Sequence, residues 1–232
     1  MTSDIESERV LEKQRWKFAI ILPSIVCVLW ILCFVLERGM GWDFHKAGIY
    51  PRKLENIWSI FTYSFIHADW KHLMNNVLSF FILGICLYYF YSEVANRVLI
   101  ISAVLSGLIL WCIGRENFHI GASGIIYSLA FFLFFSGIIR KHIPLIAISL
   151  IVVFIYGSMV WHLFPWLPDD PVSWEGHLSG AATGIVLAFV YRHKGPQPPK
   201  PEWEEEDDDE DNEQEDQYDW KENYEQEQWK EE

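Results

Sequence analysis

The stretch GASGIIYSLAFFLFFSGII, residues 121–139, joins a glycine-flanked serine to an apolar run of membrane-helix character. Ser123 stands at the head of this run, with Gly121 and Gly124 on either side. A second apolar run opens in the same way, because Trp174-Glu175-Gly176-His177-Leu178-Ser179-Gly180 places His177 at its head. Serine becomes a strong nucleophile only beside a base. The two stretches therefore indicate a serine–histidine pair held within a membrane, which suggests hydrolysis of a peptide bond there.

Six apolar runs are spread along the first 191 residues. They are Phe18–Leu36, Val77–Tyr91, Val98–Ile113, Ile125–Ile139, Ile143–Phe164 and Leu178–Tyr191. A spanning helix needs about 20 residues, and several runs reach that length only when the polar residues at one end are included. Only helices and closed barrels span lipid, and no run alternates like a barrel strand. The predicted fold is an all-α membrane protein with six transmembrane helices.

The acidity of the chain is confined to its end. Residues 201–232 contain 18 acidic residues and two lysines, a net charge of −16, whereas the whole chain carries −13. Such a segment cannot bury enough apolar surface to order itself, so we expect it to be disordered. Its tryptophans, Trp203, Trp220 and Trp229, leave open a contact with a partner beside a simple solubilising role. The expected parts are a cytoplasmic segment (1–16), a membrane domain (17–194) and an acidic cytoplasmic tail (195–232).

The distribution of basic residues predicts the orientation in the membrane. They precede the first run, separate the second from the third and the fourth from the fifth, and follow the sixth. The positive-inside rule makes these ends cytoplasmic, with both termini inside, and a bacterial inner membrane is the expected location. The segment Gly39–Trp70 is aromatic and partly apolar, so we expect it to lie in the interface.

Under this topology the second, fourth and sixth helices all begin near the outer face. Arg140 and Arg192 mark the inner ends of the fourth and sixth helices. Counting back from them at 1.5 Å per residue places Ser123 and His177 about 5–8 Å below the outer edge of the hydrocarbon core. The predicted site is therefore recessed and must admit water from outside.

Further polar residues at the same depth suggest the remaining parts of the site. Acyl transfer needs donors directed at the developing oxyanion, and His72 and Asn76, at i and i+4, could supply them with the Ser123 amide; His67 is a weaker candidate. No carboxylate lies within the runs, which favours a dyad, and Tyr127, one turn after Ser123, could orient the imidazole of His177.

Small residues would let the helices that carry the pair approach each other. Gly180 and Gly184 form a small-xxx-small stripe one turn beyond His177, and Gly124 offers a matching position. Each site residue also has a plainer role: a serine that bonds its own helix, an interfacial histidine, an asparagine or glycine in packing. The hypothesis depends on their joint placement at one depth. No Cys–His metal spacing or phosphate loop occurs, so no metal, cofactor or nucleic acid is expected.

Together these residues resemble the rhomboid family of intramembrane serine proteases, over roughly Trp16 to Tyr191. The family pattern of His, four residues, His, three residues, Asn is met by His67, His72 and Asn76. The other two motifs are met by Gly121, Ser123, Gly124 and Tyr127, and by His177, Gly180 and Gly184. The resemblance implies a six-helix bundle and cleavage of transmembrane substrates, with Ser123 as nucleophile, His177 as base and an oxyanion hole from His72, Asn76 and the Ser123 amide.

One position departs from the family pattern. The family often has Trp-Arg in the loop before the second helix, and here the pair is Trp58-Ser59, with Arg52 and Lys53 as candidates to replace the missing arginine. Two other functions stay open: a rhomboid-like protein that binds membrane clients without cutting them, and a small transporter. The first typically lacks the serine or the histidine, and the second requires polar residues at mid-membrane rather than at one end.

Overall fold

The structure, a computed structural model, describes residues 2–141, 143–144, 146–147, 150, 164 and 173–196. All of them belong to one compact unit, Met1–Gln197. The helices are α1 (Thr2–Met40), α2 (Trp70–Phe90), α3 (Ala95–Ile113), α4 (Ser123–Ile139) and α5 (Trp174–Val190). The described residues contain no β-strand, and one antiparallel bridge joins Ile49 to His119.

Part of the prediction lies outside the described residues. The expected helix Ile143–Phe164 does so for the most part, and so does the acidic tail, of which only residues 195–196 are described. Six spans and a disordered tail therefore stay predictions. The sixth predicted run corresponds to α5.

Among the described residues, three helices are long and apolar enough to cross a bilayer: Arg9–Met40 within α1, α2 and α3. Helices α4 and α5 have 17 residues each, or about 26 Å at 1.5 Å per residue, somewhat less than a hydrocarbon core of about 30 Å. Large side chains on α1, including Ile25, Leu29 and Leu32, are about half exposed. An apolar outer surface of this kind suits lipid rather than water.

Two helix starts include polar residues because a side chain caps each start. Asp69 precedes α2, and its Oδ1 accepts a hydrogen bond from the backbone N–H of His72 at 2.8 Å. Ser173 precedes α5, and its Oγ accepts one from the N–H of Gly176 at 3.1 Å. An N-cap satisfies a backbone donor that the helix leaves unpaired. The caps thus place His72, Asn76 and His177 in regular helix.

Helix α4 lies at the centre of the described bundle, where Leu129, Phe132 and Leu133 are fully buried. It packs against α2, α3 and α5. Its first residues meet α2 and α5. At its other end Arg140 contacts Tyr91 and Tyr191, which follow α2 and α5. Helices α2, α4 and α5 therefore run in the same direction.

The segment between α1 and α2 contains three 3₁₀ helices: His45–Ala47, Leu54–Phe61 and Tyr63–Phe65. The longest exposes Leu54, Trp58 and Phe61 while it buries Ile60. This outward apolar face is of the kind expected for a segment in the membrane interface.

Ser59, where the resembled family often has arginine, forms its side-chain hydrogen bonds within its own segment. Ser59 is buried, and its Oγ lies 2.6 Å from the carbonyl oxygen of Asn56 and 2.8 Å from its Oδ1. Arg52 links the segment to the end of α3, because its Nη1 donates to the carbonyl of Gly114 at 2.6 Å and its backbone N–H to that of Trp111 at 3.0 Å. Lys53 lies over the ring of Tyr50 instead.

Candidate active site

The turn at Gly121 brings the polar end of α2 against the start of α4. Its φ is +105°, a conformation that side chains rarely adopt, and its N–H donates to the carbonyl of Tyr63 at 2.9 Å. A Cβ at this position would lie 2.6 Å from Cε1 of His72 and 3.5 Å from Nδ2 of Asn76. Glycine is therefore required for this close approach.

Ser123 is the first residue of α4 and is half-buried. Beside it lies a cavity of about 10 Å³, which is close to the volume needed for one water molecule. The backbone N–H groups in the first turn of a helix have no intrahelical acceptor and carry partial positive charge. The cavity is lined by Tyr63, Ser106, Leu110, His119, Ile120, Gly121, Ser123, Gly124 and Gly176.

Asn76 presents a buried donor at the turn. The residue is 6% exposed, and its Nδ2 has no hydrogen-bond partner among the described residues. Leaving such a group unpaired costs about 1–3 kcal/mol. An amide held in this state beside Gly121 is suited to an acceptor that is present only when a substrate is bound.

His67 lies behind His72 in the loop before α2. Its ring packs between those of Trp30 and His72, with centroid distances of 5.9 and 5.1 Å. Burial, with a smaller effect from His72, lowers the pKa of His67 to about 3. Its imidazole is therefore neutral near pH 7.

His177 is buried in the first turn of α5 and stacks on Tyr127 of α4. The two ring centroids are 4.2 Å apart and the planes differ by 9°. The glycine stripe permits this contact: a Cβ at Gly180 would meet the carbonyl of Gly124, and one at Gly184 the carbonyl of Ser128. Gly124 in turn faces the carbonyl of Gly176. The first turns of α4 and α5 thus lie in direct contact.

Four residues that sequence reasoning missed join the segments leading into these two turns. Nδ1 of His119 lies 2.6 Å from Oγ of Ser173, and Nε2 lies 3.0 Å from the carbonyl oxygen of Arg115. Arg115 also pairs with Glu175, which is 2% exposed, at 3.5 Å. A serine just before an apolar helix is a readable N-cap signal, but no sequence pattern pairs Ser173 with His119.

Hydroxyl groups join α3 to α4 and to the 3₁₀ helix Tyr63–Phe65. Oη of Tyr63 lies 3.1 Å from Oγ of Ser106, and Ser128 donates to Oγ of Ser102 at 2.8 Å. Such hydrogen bonds hold membrane helices together where burial of apolar area cannot.

Within the part of the chain that the structure describes, no three His, Cys, Asp or Glu side chains form a group that could hold a metal.

Comparisons with known proteins match most of this region. The family model of the rhomboid domain matches residues 54–194. A protein of Mycobacterium tuberculosis described as uncharacterized is 36% identical over 192 residues, which cover 77% of this chain and 78% of the relative. Rhomboid protease GlpG of Klebsiella pneumoniae is 29% identical over 182 residues, 71% of this chain and 61% of its own. Rhomboid-related protein 1 of Caenorhabditis elegans is 30% identical over 152 residues, which cover 60% of this chain and 41% of the relative.

Proposed function

Because this chain belongs to the rhomboid family and its apolar helices indicate a membrane protein, we propose that it is an intramembrane serine endopeptidase. Ser123 is the nucleophile and His177 the general base, and the substrates are transmembrane proteins cut near the outer face of the bilayer. The observation that carries the proposal is the contact of the first turns of α4 and α5, where Tyr127 stacks on His177 one turn beyond Ser123.

The reaction begins when a substrate helix enters laterally, between the second and the predicted fifth helix. Its end must unwind, because the carbonyl of a helical peptide bond is already hydrogen-bonded. Ser123 Oγ attacks the exposed carbonyl carbon while His177 takes the hydroxyl proton. His177 then returns the proton to the leaving amine, and an acyl-enzyme remains on Ser123. Water from the outer face attacks the ester, with His177 again as base, and frees the carboxylic acid and the serine.

Charge that develops on the carbonyl oxygen meets donors fixed before the reaction. The Ser123 N–H lies at a helix start, and the Asn76 amide is buried without a partner among the described residues. His72 lies against the same turn. Donors of this kind stabilise the tetrahedral intermediate because they need no reorganisation when the charge forms. The stack on Tyr127 takes the orienting role that a carboxylate has in a triad.

The proposed topology places both termini in the cytoplasm of a bacterial cell and the site near the outer face of the inner membrane. The basic residues at the end of the bundle opposite Ser123 support this orientation. Bacterial relatives, from Mycobacterium tuberculosis and Klebsiella pneumoniae, are consistent with the location.

The proposal is tested by labelling the purified protein with a fluorophosphonate serine probe. Wild type should be labelled, and Ser123→Ala and His177→Ala should lose all labelling while they remain folded and inserted. Ser92→Ala is the matched control, because Ser92 is an exposed serine at the other end of the bundle. A folded wild type that the probe does not label would contradict the proposal and favour a rhomboid-like protein that binds clients without cutting them.

A further inference from the structure

A hydrogen bond joins the two segments that lead into the proposed nucleophile and base at equal distances along the chain. His119 lies four residues before Ser123, and Ser173 lies four residues before His177. Their side chains meet at 2.6 Å, Nδ1 to Oγ. The bond therefore joins the approach to α4 with the approach to α5, just outside the first turn of each helix.

The direction of each hydrogen bond follows from its partners. A carbonyl oxygen can only accept, so Nε2 of His119 carries the proton that faces Arg115. In the neutral imidazole Nδ1 is then an acceptor, and the hydroxyl of Ser173 donates to it. The oxygen of Ser173 keeps its lone pairs for the N–H of Gly176 at 3.1 Å. Burial lowers the pKa of His119 and so favours this neutral form.

His119 is itself fixed from two other sides. Its backbone exchanges two hydrogen bonds with Ile49, at 2.9 and 2.8 Å, which anchor it to the segment between α1 and α2. Alongside, Glu175 accepts from the backbone N–H of Arg115 at 3.3 Å and pairs with its guanidinium. A residue held this firmly can transmit its position to Ser173.

We propose that His119 is a positioning residue for His177. Through Ser173 it sets the height of the first turn of α5 against that of α4, and thereby the placement of the imidazole that activates Ser123. This inference rests on the proposed function, because it takes His177 as the base.

Two substitutions separate the two ring nitrogens of His119. In His119→Asn the side-chain oxygen occupies about the place of Nδ1 and can accept from Ser173. In His119→Gln the longer amide can donate to the Arg115 carbonyl, but no acceptor faces Ser173. Misplacing a catalytic group by about 1 Å can cost on the order of 100-fold in rate. We expect His119→Gln to lower the rate of fluorophosphonate labelling tenfold or more, and His119→Asn to stay within about threefold of wild type.

A third variant tests whether the effect passes through Ser173. Ser173→Ala removes both the cap on the Gly176 N–H and the hydrogen bond to His119. Adding His119→Gln to it should therefore cause no further loss of labelling rate. The rate is measured as a function of pH, because its acidic limb follows the titration of the base, and each melting temperature is measured beside it. We expect His119→Gln and Ser173→Ala to change the pH profile of the labelling rate. We expect His119→Gln and His119→Asn to have similar melting temperatures.

The outcomes distinguish this inference from the proposed function. If wild type is labelled and His119→Gln reacts at the same rate, or if the losses from His119→Gln and Ser173→Ala multiply, positioning through Ser173 is overturned and the protease assignment stands. A rate loss that only parallels a lower melting temperature, with an unchanged pH profile, also overturns it. If folded wild type is not labelled at all, both proposals are overturned.

Discussion

At the scale of single residues, the buried amide of Asn76 connects the structure most directly to chemistry. Buried polar groups in folded proteins are nearly always paired, and each exception requires an explanation. Asn76 Nδ2 has no partner among the described residues and lies beside Gly121, two residues before Ser123. The proposed role of this donor in the oxyanion hole would explain both its burial and its isolation.

Asn76→Ala tests this explanation. Losing one donor of an oxyanion hole costs about 100- to 1,000-fold in rate, so labelling or cleavage should slow by that order. The melting temperature should not fall much, because Nδ2 has no hydrogen-bond partner to lose among the described residues. Asn75→Ala is the matched control, since Asn75 is exposed on the neighbouring position of α2. Equal rates for the two variants would exclude Asn76 from the oxyanion hole.

Residues of the site differ in how far the sequence could predict them. The spacing of His72 and Asn76 places them on one helix face, and local spacing is readable without a structure. The bond between His119 and Ser173 joins residues 54 positions apart. It depends on how α4 and α5 pack, and no local pattern encodes that packing. Sequence reasoning therefore proposed residues whose chemistry and local spacing are familiar, and it missed the long-range bond between His119 and Ser173.

At the scale of helices, the glycine stripe of α5 decides how closely α4 can approach. Membrane helices associate through close packing, since lipid offers no hydrophobic drive between them. Gly180 and Gly184 each leave room for a backbone carbonyl of α4, those of Gly124 and Ser128. The Tyr127–His177 stack exists because this approach is permitted.

Gly184→Ala and Gly180→Ala test the stripe. Either methyl group would overlap α4 backbone, and overpacking costs about 1–3 kcal/mol. Both variants should melt at lower temperature, and Gly180→Ala should also lose labelling because the stacked pair lies one turn away. Gly39→Ala is the control, since Gly39 lies in α1 with open space around it. Wild-type melting of Gly184→Ala would show that α4 and α5 are not held this close.

Apolar runs predicted the described helices but not where they start. Helix α2 begins at Trp70, seven residues before the run that starts at Val77, because the Asp69 cap brings polar residues into the helix. Helix α1 extends back to Thr2, where glutamate, lysine and arginine favour helix without being apolar. Hydropathy indicates which residues can face lipid, whereas N-capping and helix propensity decide where a helix begins.

At the scale of the whole described bundle, α2, α4 and α5 are fixed at both ends. The site joins their first turns, and Arg140 joins the other ends. Nη1 of Arg140 donates to Oη of Tyr91 at 2.9 Å, and Nη2 donates to the carbonyls of Tyr191 and Lys194. The sequence predicted the common direction from charge, with Arg140 as an inner boundary residue. It could not predict that this arginine is buried and holds three helix ends together.

Arg140→Met separates the stability of the bundle from its chemistry. Methionine fills part of the space but leaves the Tyr191 and Lys194 carbonyls and the Tyr91 hydroxyl without their donor, which should cost about 3 kcal/mol. The melting temperature should fall clearly, while labelling well below that temperature should stay within about threefold of wild type, because Arg140 lies about 25 Å along α4 from Ser123. Arg97→Met removes an exposed cation from the same end and is the control. An Arg140→Met protein that melts like wild type would show that the three helix ends do not depend on this arginine. A protein that melts at lower temperature and also loses labelling in proportion, well below that temperature, would show that the two ends of the bundle are coupled.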